Sequence, residues 1–282
     1  MIHTISFNFI MKDSLISIED IKKIHPIFRK SYGDKLARFV MKAAGLHNVN
    51  RIYDCAKHEK GTDIEDIMID KGIGAIRAVH NIDVLRQFDG KPFITVSNHP
   101  YGHIDGIMLI GEVAKVRTDF KVMVNWMLAM IDIMEDHFIG VNPYSSGSLA
   151  ERSSTSGVKE CIQHLKAGHP LGFFPAGAVS KTKINRIEDR EWQSGVIKLI
   201  QKAKVPVVPV YISGNNSWFF NFLDIVNWRL RSVRLCHELN TKKGKTIHMT
   251  FGEPISVEEQ QKITDIKEFG AFLKRKTYEL KS

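Results

Sequence analysis

A histidine and an aspartate lie near the two ends of a short segment rich in turn formers, Asn98-His99-Pro100-Tyr101-Gly102-His103-Ile104-Asp105-Gly106. A neutral imidazole takes a proton from an attacking hydroxyl, and a carboxylate beside it fixes the ring tautomer and stabilises the imidazolium that forms. His99 and Asp105 are therefore a candidate general base and its orienting partner. The apolar run Phe93-Ile94-Thr95-Val96 leads straight into the segment, Pro100 disfavours helical geometry at His99, and Ile107-Met108-Leu109-Ile110 reads as a helix. A buried strand would then deliver the base, and the start of a helix the carboxylate.

Other chemistries use the same residue types. His99, His103 and Asp105 also read as three metal ligands, which would suit a metal-dependent hydrolase. Against that reading, they share a Pro- and Gly-containing loop without helical spacing, and no second ligand cluster follows. Gly-x-Ser-x-Gly is absent, so direct transfer to a bound hydroxyl is simpler than an acyl-enzyme route. The second informative stretch, Leu171-Gly172-Phe173-Phe174-Pro175-Ala176-Gly177-Ala178-Val179-Ser180-Lys181, is again an apolar strand entering a turn. It does not make a phosphate-binding P-loop: Ser180 stands where a glycine should precede Lys181, and no apolar helix follows.

The elements that must hold these residues alternate from Gly90 onward, as short apolar runs and amphipathic segments. That pattern argues for an α/β sheet covered by helices. Strands are expected at Phe93 to Val96, Phe120 to Val124, Leu171 to Phe174, Val207 to Ile212 and Thr246 to Phe251. A helix is expected over Ser156 to Ala167, with Val158, Ile162 and Leu165 as its stripe and Gly168 as its stop. A last helix starts at the capping box Ser256-Val257-Glu258-Glu259 and buries Ile263, Ile266, Phe269 and Leu273. Residues 1–89 read as an N-terminal helical lobe and 90–282 as the α/β domain. In the lobe, helices are expected at Ile18 to Phe28 and Gly33 to Ala44, with shorter ones between Thr62 and Val79.

With 43% hydrophobic and 25% charged residues, the 282-residue chain is ordinary for a soluble globular protein. Cys55, Cys161 and Cys236 form neither a disulfide framework nor a zinc motif, which fits a reducing cytosolic setting. No apolar run reaches the roughly 18 to 20 residues needed to cross a bilayer. The net charge of +9 attracts an anionic partner, such as a headgroup surface, nucleic acid or an acidic carrier protein, unless the surface is merely basic. Gly33 to Ala44 carries Leu36, Phe39, Val40 and Ala43 at helical spacing with Lys35, Arg38 and Lys42 around them, which fits a core helix or one lying on a membrane. Two further apolar stretches, Met123 to Met134 and Trp218 to Leu230, read first as core helices. The second ends among Arg229, Arg231 and Arg234, so a water-lipid boundary or an acyl-chain groove is its other reading.

Four motifs in order carry a family resemblance: Asn98-His99 with downstream Asp105; Phe174-Pro175-Ala176-Gly177-Ala178-Val179-Ser180; Val205-Pro206-Val207-Val208-Pro209-Val210-Tyr211-Ile212; and Phe251-Gly252-Glu253-Pro254-Ile255. Over about residues 90 to 255 the chain resembles the glycerolphosphate and lysophospholipid acyltransferase superfamily. Five residues separate His99 from Asp105 where the phospholipid branch usually has four, and Asn-His-Pro-x-Gly-x-x-Asp-Gly resembles the branch of lyso-ornithine lipid and related aminolipid O-acyltransferases. The phospholipid branch typically reads Phe-Pro-Glu-Gly-Thr-Arg-Ser, with the Glu and Arg binding the acceptor phosphate. Ala176 and Val179 occupy those places here, and no arginine follows near Ile139 to Pro143. Ala178 departs from the aminolipid branch, where an acidic residue is common.

The resemblance implies an α/β acyltransferase fold with a central mixed sheet. It implies O-acyl transfer from an acyl carrier protein, the preferred donor, or CoA thioester to the hydroxyl of a lyso-aminolipid. A lysophosphatidic acid or other lysophospholipid acceptor is the alternative; a noncatalytic lipid-surface or nucleic-acid binding module is the rival from another class. His99 and Asp105 would be catalytic, with backbone amides of Ala176 and Gly177 facing the oxyanion. Asn98, Gly102, Phe174, Pro175, Ala176, Gly177, Ser180, Lys181 and Arg186 would line the substrate site, with Lys183 a further carrier or acceptor contact. The last three basic residues also fit a solvated loop face. No metal, no cofactor beyond the thioester co-substrate and no nucleic acid are expected. The expected location is peripheral, on the inner face of the cytoplasmic membrane, against an anionic lipid surface.

Overall fold

The computed structural model describes residues 13–59, 63–125, 131–141, 148–183 and 186–281. Met127 and the rest of the Met123 to Met134 stretch between 126 and 130, like Asn142 and Pro143, lie outside the described residues.

The chain starts with helices α1 (Ile18–Ile24), α2 (Gly33–Ala43), α3 (Leu46–Ala56) and α4 (Ile64–Ile67), the last running into a π-helical stretch over Met68–Ile73. Ser17 and Asp20 cap α1 reciprocally. The helix expected as far as Phe28 stops at Ile24, because Pro26 drives His25 into extended backbone (φ −151°, ψ 139°) and a separate 3-10 turn follows. Short helices were also expected between Thr62 and Val79. Gly74, in left-handed backbone (φ 75°), ends them and releases strand β1 (Ile76–His80). Part of the segment read as a helical lobe therefore belongs to the sheet.

The remaining strands are β2 (Ile94–Ser97), β3 (Lys121–Asn125), β4 (Phe138–Val141), β5 (Leu171–Phe173), β6 (Lys181–Lys183), β7 (Arg186–Glu188), β8 (Val207–Ile212) and β9 (Thr246–Phe251). Seven of them form one mixed sheet in the order β1-β9-β8-β2-β5-β3-β4, and β6 and β7 make a small antiparallel hairpin. Among the described residues only the β8–β9 pairing is antiparallel within the large sheet. β2 lies between β5 and β8 and is buried throughout, with Ile94 and Val96 in one apolar layer and Thr95 and Ser97 buried as well.

Helix α5 (Ile104–Ala114) follows β2 at once. Later come α6 (Ser148–Lys166), α7 (Ser194–Ala203), α8 (Trp218–Val226), α9 (Trp228–Glu238), α10 (Val257–Gln261) and α11 (Ile266–Tyr278). The sheet separates two apolar layers. One joins α3, α4 and α5 to alternate residues Val208, Val210 and Ile212 of β8; the other joins α6, α7 and α11 to Ile94, Val96, Leu171 and Val207.

Three helices depart from their expected form. α6 begins at Ser148 and buries Cys161 and Leu165, while Val158 and Ile162 of the expected stripe are exposed. The single terminal helix is two, since Asp265 caps a new start by accepting the Glu268 amide at 2.8 Å. Within α8, read first as a core helix, Phe220 is buried and the outer face stays open. Among the described residues no helix is long and apolar enough to cross a membrane.

Candidate active site

The polar exit of β2 meets the first turn of α5. His99 Nδ1 lies 2.6 Å from Asp105 Oδ2, and the carboxylate is fully buried. Asp105 is held in place by three backbone contacts: its oxygens accept the amides of Tyr101 (3.1 and 3.2 Å) and Gly102 (2.9 Å). The intervening loop curls over a carboxylate at a helix N-terminus, where negative charge is favoured. Gly102 is required in that curl. It has φ 83°, and a Cβ there would sit 2.3 Å from Val179 Cγ2.

Burial opposes a charge on His99, but the Asp105 carboxylate, its hydrogen bond and then Asp189 outweigh it, and the imidazole pKa ends above the ordinary 6.5. Since Nδ1 faces Asp105, Nε2 is the nitrogen left to receive a proton. The His99 ring packs on Phe174, with centroids 4.5 Å apart. His103, the third residue of the metal reading, points to other work: its Nδ1 accepts the Ile104 amide at 2.7 Å as the cap of α5. Burial pushes its pKa down to about 4, so it is neutral.

Asp189 was not apparent in the sequence. Its Oδ1 accepts the backbone amide of His99 (3.1 Å) and the hydroxyl of Ser180 (2.6 Å), and its Oδ2 accepts Trp192 Nε1 (3.0 Å). The Ser180 amide in turn donates to the His99 carbonyl at 2.9 Å. One buried carboxylate therefore ties the loop after β2 to the strap after β5. Its surroundings, an Asp between Glu188 and Arg190, look like a solvated charge run; Trp192 three residues later is the one hint of burial.

Several residues expected to contact substrate have structural partners. The Asn98 amide bridges β2 to β8, donating to the Ile212 carbonyl (2.8 Å) and accepting its amide (2.7 Å). Ser180 is committed to Asp189. The Gly177 amide donates to Phe174 O at 2.9 Å within the turn, so of the two amides expected at the oxyanion this one is engaged elsewhere. Gly177 (φ 61°) is also where the turn passes Gln193: a Cβ would lie 2.0 Å from its Nε2. Pro175 and Ala176 are buried beneath that turn, and Pro175 O accepts the Gln193 amide at 2.9 Å. Lys181 and Arg186 sit on the β6–β7 hairpin; the Arg186 side chain is 67% exposed and paired with Glu188 at 2.8 Å.

Arg231 was grouped with the boundary arginines, yet it is buried and turned inward. It pairs with Asp224 at 2.6 Å and donates to Ser180 O (2.5 Å) and Val179 O (3.4 Å). The strap beside His99 is thus pinned by Asp189 from one side and by Arg231 from the other.

A mixed sheet presenting a His–Asp pair at the exit of a central strand suits base-assisted group transfer. The chain belongs to a family described as Acyltransferase, whose model matches residues 74–282, and it is an acyltransferase. It is 30% identical over 198 residues to the lyso-glycine lipid O-acyltransferase of Bacteroides thetaiotaomicron, covering 66% of this chain and 68% of that protein. A protein of the same name from Phocaeicola vulgatus is 26% identical over 196 residues, covering 66% and 67%. The fold is similar to that of the 1-acyl-sn-glycerophosphate (LPA) acyltransferase PlsC of Thermotoga maritima, with a TM-score of 0.51 and 18% identity over 94% of this chain and 95% of that one. These matches bear out the resemblance to the glycerolphosphate/lysophospholipid acyltransferase superfamily and its aminolipid branch.

Proposed function

We propose that the protein esterifies the free hydroxyl of a lyso-aminolipid of the glycine lipid type, using a fatty acyl thioester of acyl carrier protein or CoA. The 2.6 Å contact between His99 and the buried Asp105 carries the mechanism. Neutral His99 takes the acceptor hydroxyl proton at Nε2 while the hydroxyl oxygen attacks the thioester carbonyl. The imidazolium is stabilised by Asp105. As the tetrahedral intermediate collapses, the C–S bond breaks and the proton passes from His99 to the departing sulfur, leaving an ester and a free thiol. A positioned base of this kind contributes about 10² to 10⁴ in rate.

The acceptor assignment draws on the two curated relatives and on the residues at the strap. Ala176 is buried and Val179 faces Gly102, where the phospholipid pattern has charged groups for a phosphate. A phosphate there would lack its cationic partner. The +9 charge suits both an acidic carrier protein and work at the anionic inner face of the cytoplasmic membrane.

Purified protein offered lyso-glycine lipid and lysophosphatidic acid in parallel, with either thioester, tests the assignment by mass spectrometry of the products. Diacylated aminolipid is the expected product. Phosphatidic acid as the sole product would overturn the acceptor, and no product from either would overturn the reaction.

A further inference from the structure

The α8–α9 pair has one face built into the site and one face left bare. Trp218, Phe222, Ile225 and Val226 on α8, with Leu230 and Val233 on α9, are each between 43% and 78% exposed. Their spacing, i, i+4, i+7 and i+8 on the first helix and i, i+3 on the second, puts each set on one side of its cylinder. The Trp218 and Phe222 rings stack on each other at 5.5 Å.

Charge decides what this face suits. The carboxylates of the two helices are Asp224 and Glu238, and both are buried: Asp224 against Arg231, Glu238 receiving the amide (2.7 Å) and hydroxyl (2.8 Å) of Ser217. Arg234 is partly open to solvent, with its guanidinium over the Phe219 ring at 5.2 Å and its Nε 3.8 Å from Glu238. Among its described residues the pair therefore presents large apolar side chains and one partly open arginine, with its acids withdrawn, on a protein of net charge +9. That combination matches an anionic lipid interface, where aromatic and aliphatic groups enter the acyl boundary and arginines meet headgroups. At 9 and 11 residues, the helices are too short to span a bilayer and suited to lying in its surface.

The inner face explains why such attachment would serve the reaction. Arg231 holds the strap carbonyls at Val179 and Ser180, and a Cβ on Gly102 would come within 3.3 Å of Leu235 Cδ1. Asn216, just ahead of α8, donates to Tyr101 O at 3.0 Å in the loop that carries His99. We infer that the outer face of α8–α9 seats in an anionic bilayer surface and sets the His99 loop at the level where a lysolipid hydroxyl is presented. The link to catalysis rests on the proposed lysolipid acceptor; attachment itself does not.

The test uses the full chain and the double variant Ile225→Glu/Leu230→Glu, sedimented with vesicles of phosphatidylglycerol and phosphatidylcholine or of phosphatidylcholine alone. Wild type is expected to bind the anionic vesicles, and the double variant to bind them at least about tenfold more weakly with an unchanged melting temperature. Trp218 fluorescence should be quenched by brominated acyl chains, a signal absent from Trp218→Phe by difference. Turnover of acceptor embedded in vesicles should fall at least about tenfold more than turnover of a monomeric short-chain acceptor. Wild-type binding retained by the double variant would overturn the inference. So would loss of binding in Phe39→Glu alone, a site on α2 that is 68% exposed, or a wild-type dimer that the double variant dissociates. Vesicle attachment without acyl transfer to any acceptor would sink the proposed reaction and leave the docking face standing.

Discussion

The loop around His99 packs against the inner side of α8–α9, and the outer side of the same pair is built on the opposite rule. At His99 the charged groups are matched: Asp105 has the imidazole and three backbone contacts, and Asp189 has an amide, a hydroxyl and an indole. On the outer side of α8 and α9, large apolar groups have no cover. A proton-transfer site gains from fixed, desolvated partners, because a buried charge with a missing partner is costly. A surface meant for lipid must leave its apolar area unspent until it meets the bilayer. The buried Asp224–Arg231 pair, at 2.6 Å, joins the two regimes by holding the bare helices to the strap.

Breaking the matched region should cost most. His99→Ala removes the base and is expected to lower kcat for any acceptor by about 10² to 10⁴ without lowering vesicle binding, as steady-state kinetics and sedimentation would register. Retained activity would mean that the proton goes elsewhere. Asp189→Asn exchanges an acceptor for a donor opposite groups that all donate. A buried donor left unmatched costs about 1 to 3 kcal/mol, read as a lower melting temperature, and kcat should fall by about tenfold as the two loops lose their tie. A merely structural role would lower stability alone; positioning of His99 would also move the pH midpoint of kcat. At the small end stands Arg186→Ala. Its side chain is exposed and its direct pair with Glu188 is screened by solvent, so kcat/KM should stay within about twofold. A larger loss would put that hairpin in the acceptor or carrier site.

Sequence pattern read the site where its parts are local and missed it where they are distant. His99 and Asp105 lie in one loop between an apolar strand and an apolar helix, so type, spacing and context agreed. Asp189 reaches the same loop across 90 positions, from a run of charges whose pattern signals solvent. Arg231 was misread for the same reason: three arginines after an aromatic segment suggest a basic rim, and burial of one of them depends on Asp224 and the strap carbonyls. Asn98 and Ser180 were located but not their partners, Ile212 and Asp189, because chain order does not reveal which strand ends meet.

The fold followed a similar division. The central strands β2, β5 and β8 are continuously buried and their apolar runs show it, whereas β1 is only half-buried and no apolar run marks it. β4 contains Gly140, and the three-residue strands β6 and β7 are too short for any periodicity. The break before α11 is set by the Asp265 cap, while Ile263, Ile266, Phe269 and Leu273 continue the apolar spacing straight through it.

The pH dependence of kcat/KM for wild type beside Asp105→Asn, with a monomeric acceptor, tests the central claim most directly. The reacting His99 must be neutral, and its pKa is held above 6.5 by the Asp105 carboxylate against burial. Activity should therefore rise with pH through a midpoint above 6.5, while any fold stabilisation by the charged His99–Asp105 pair, complete below 6.5, is lost as pH rises through that same midpoint. In Asp105→Asn burial is left to act with Asp189 alone, so the midpoint should move to lower pH and the plateau rate should drop. A wild-type limb that falls with rising pH, or a midpoint that Asp105→Asn leaves in place, would contradict the assignment of His99 as the base oriented by Asp105.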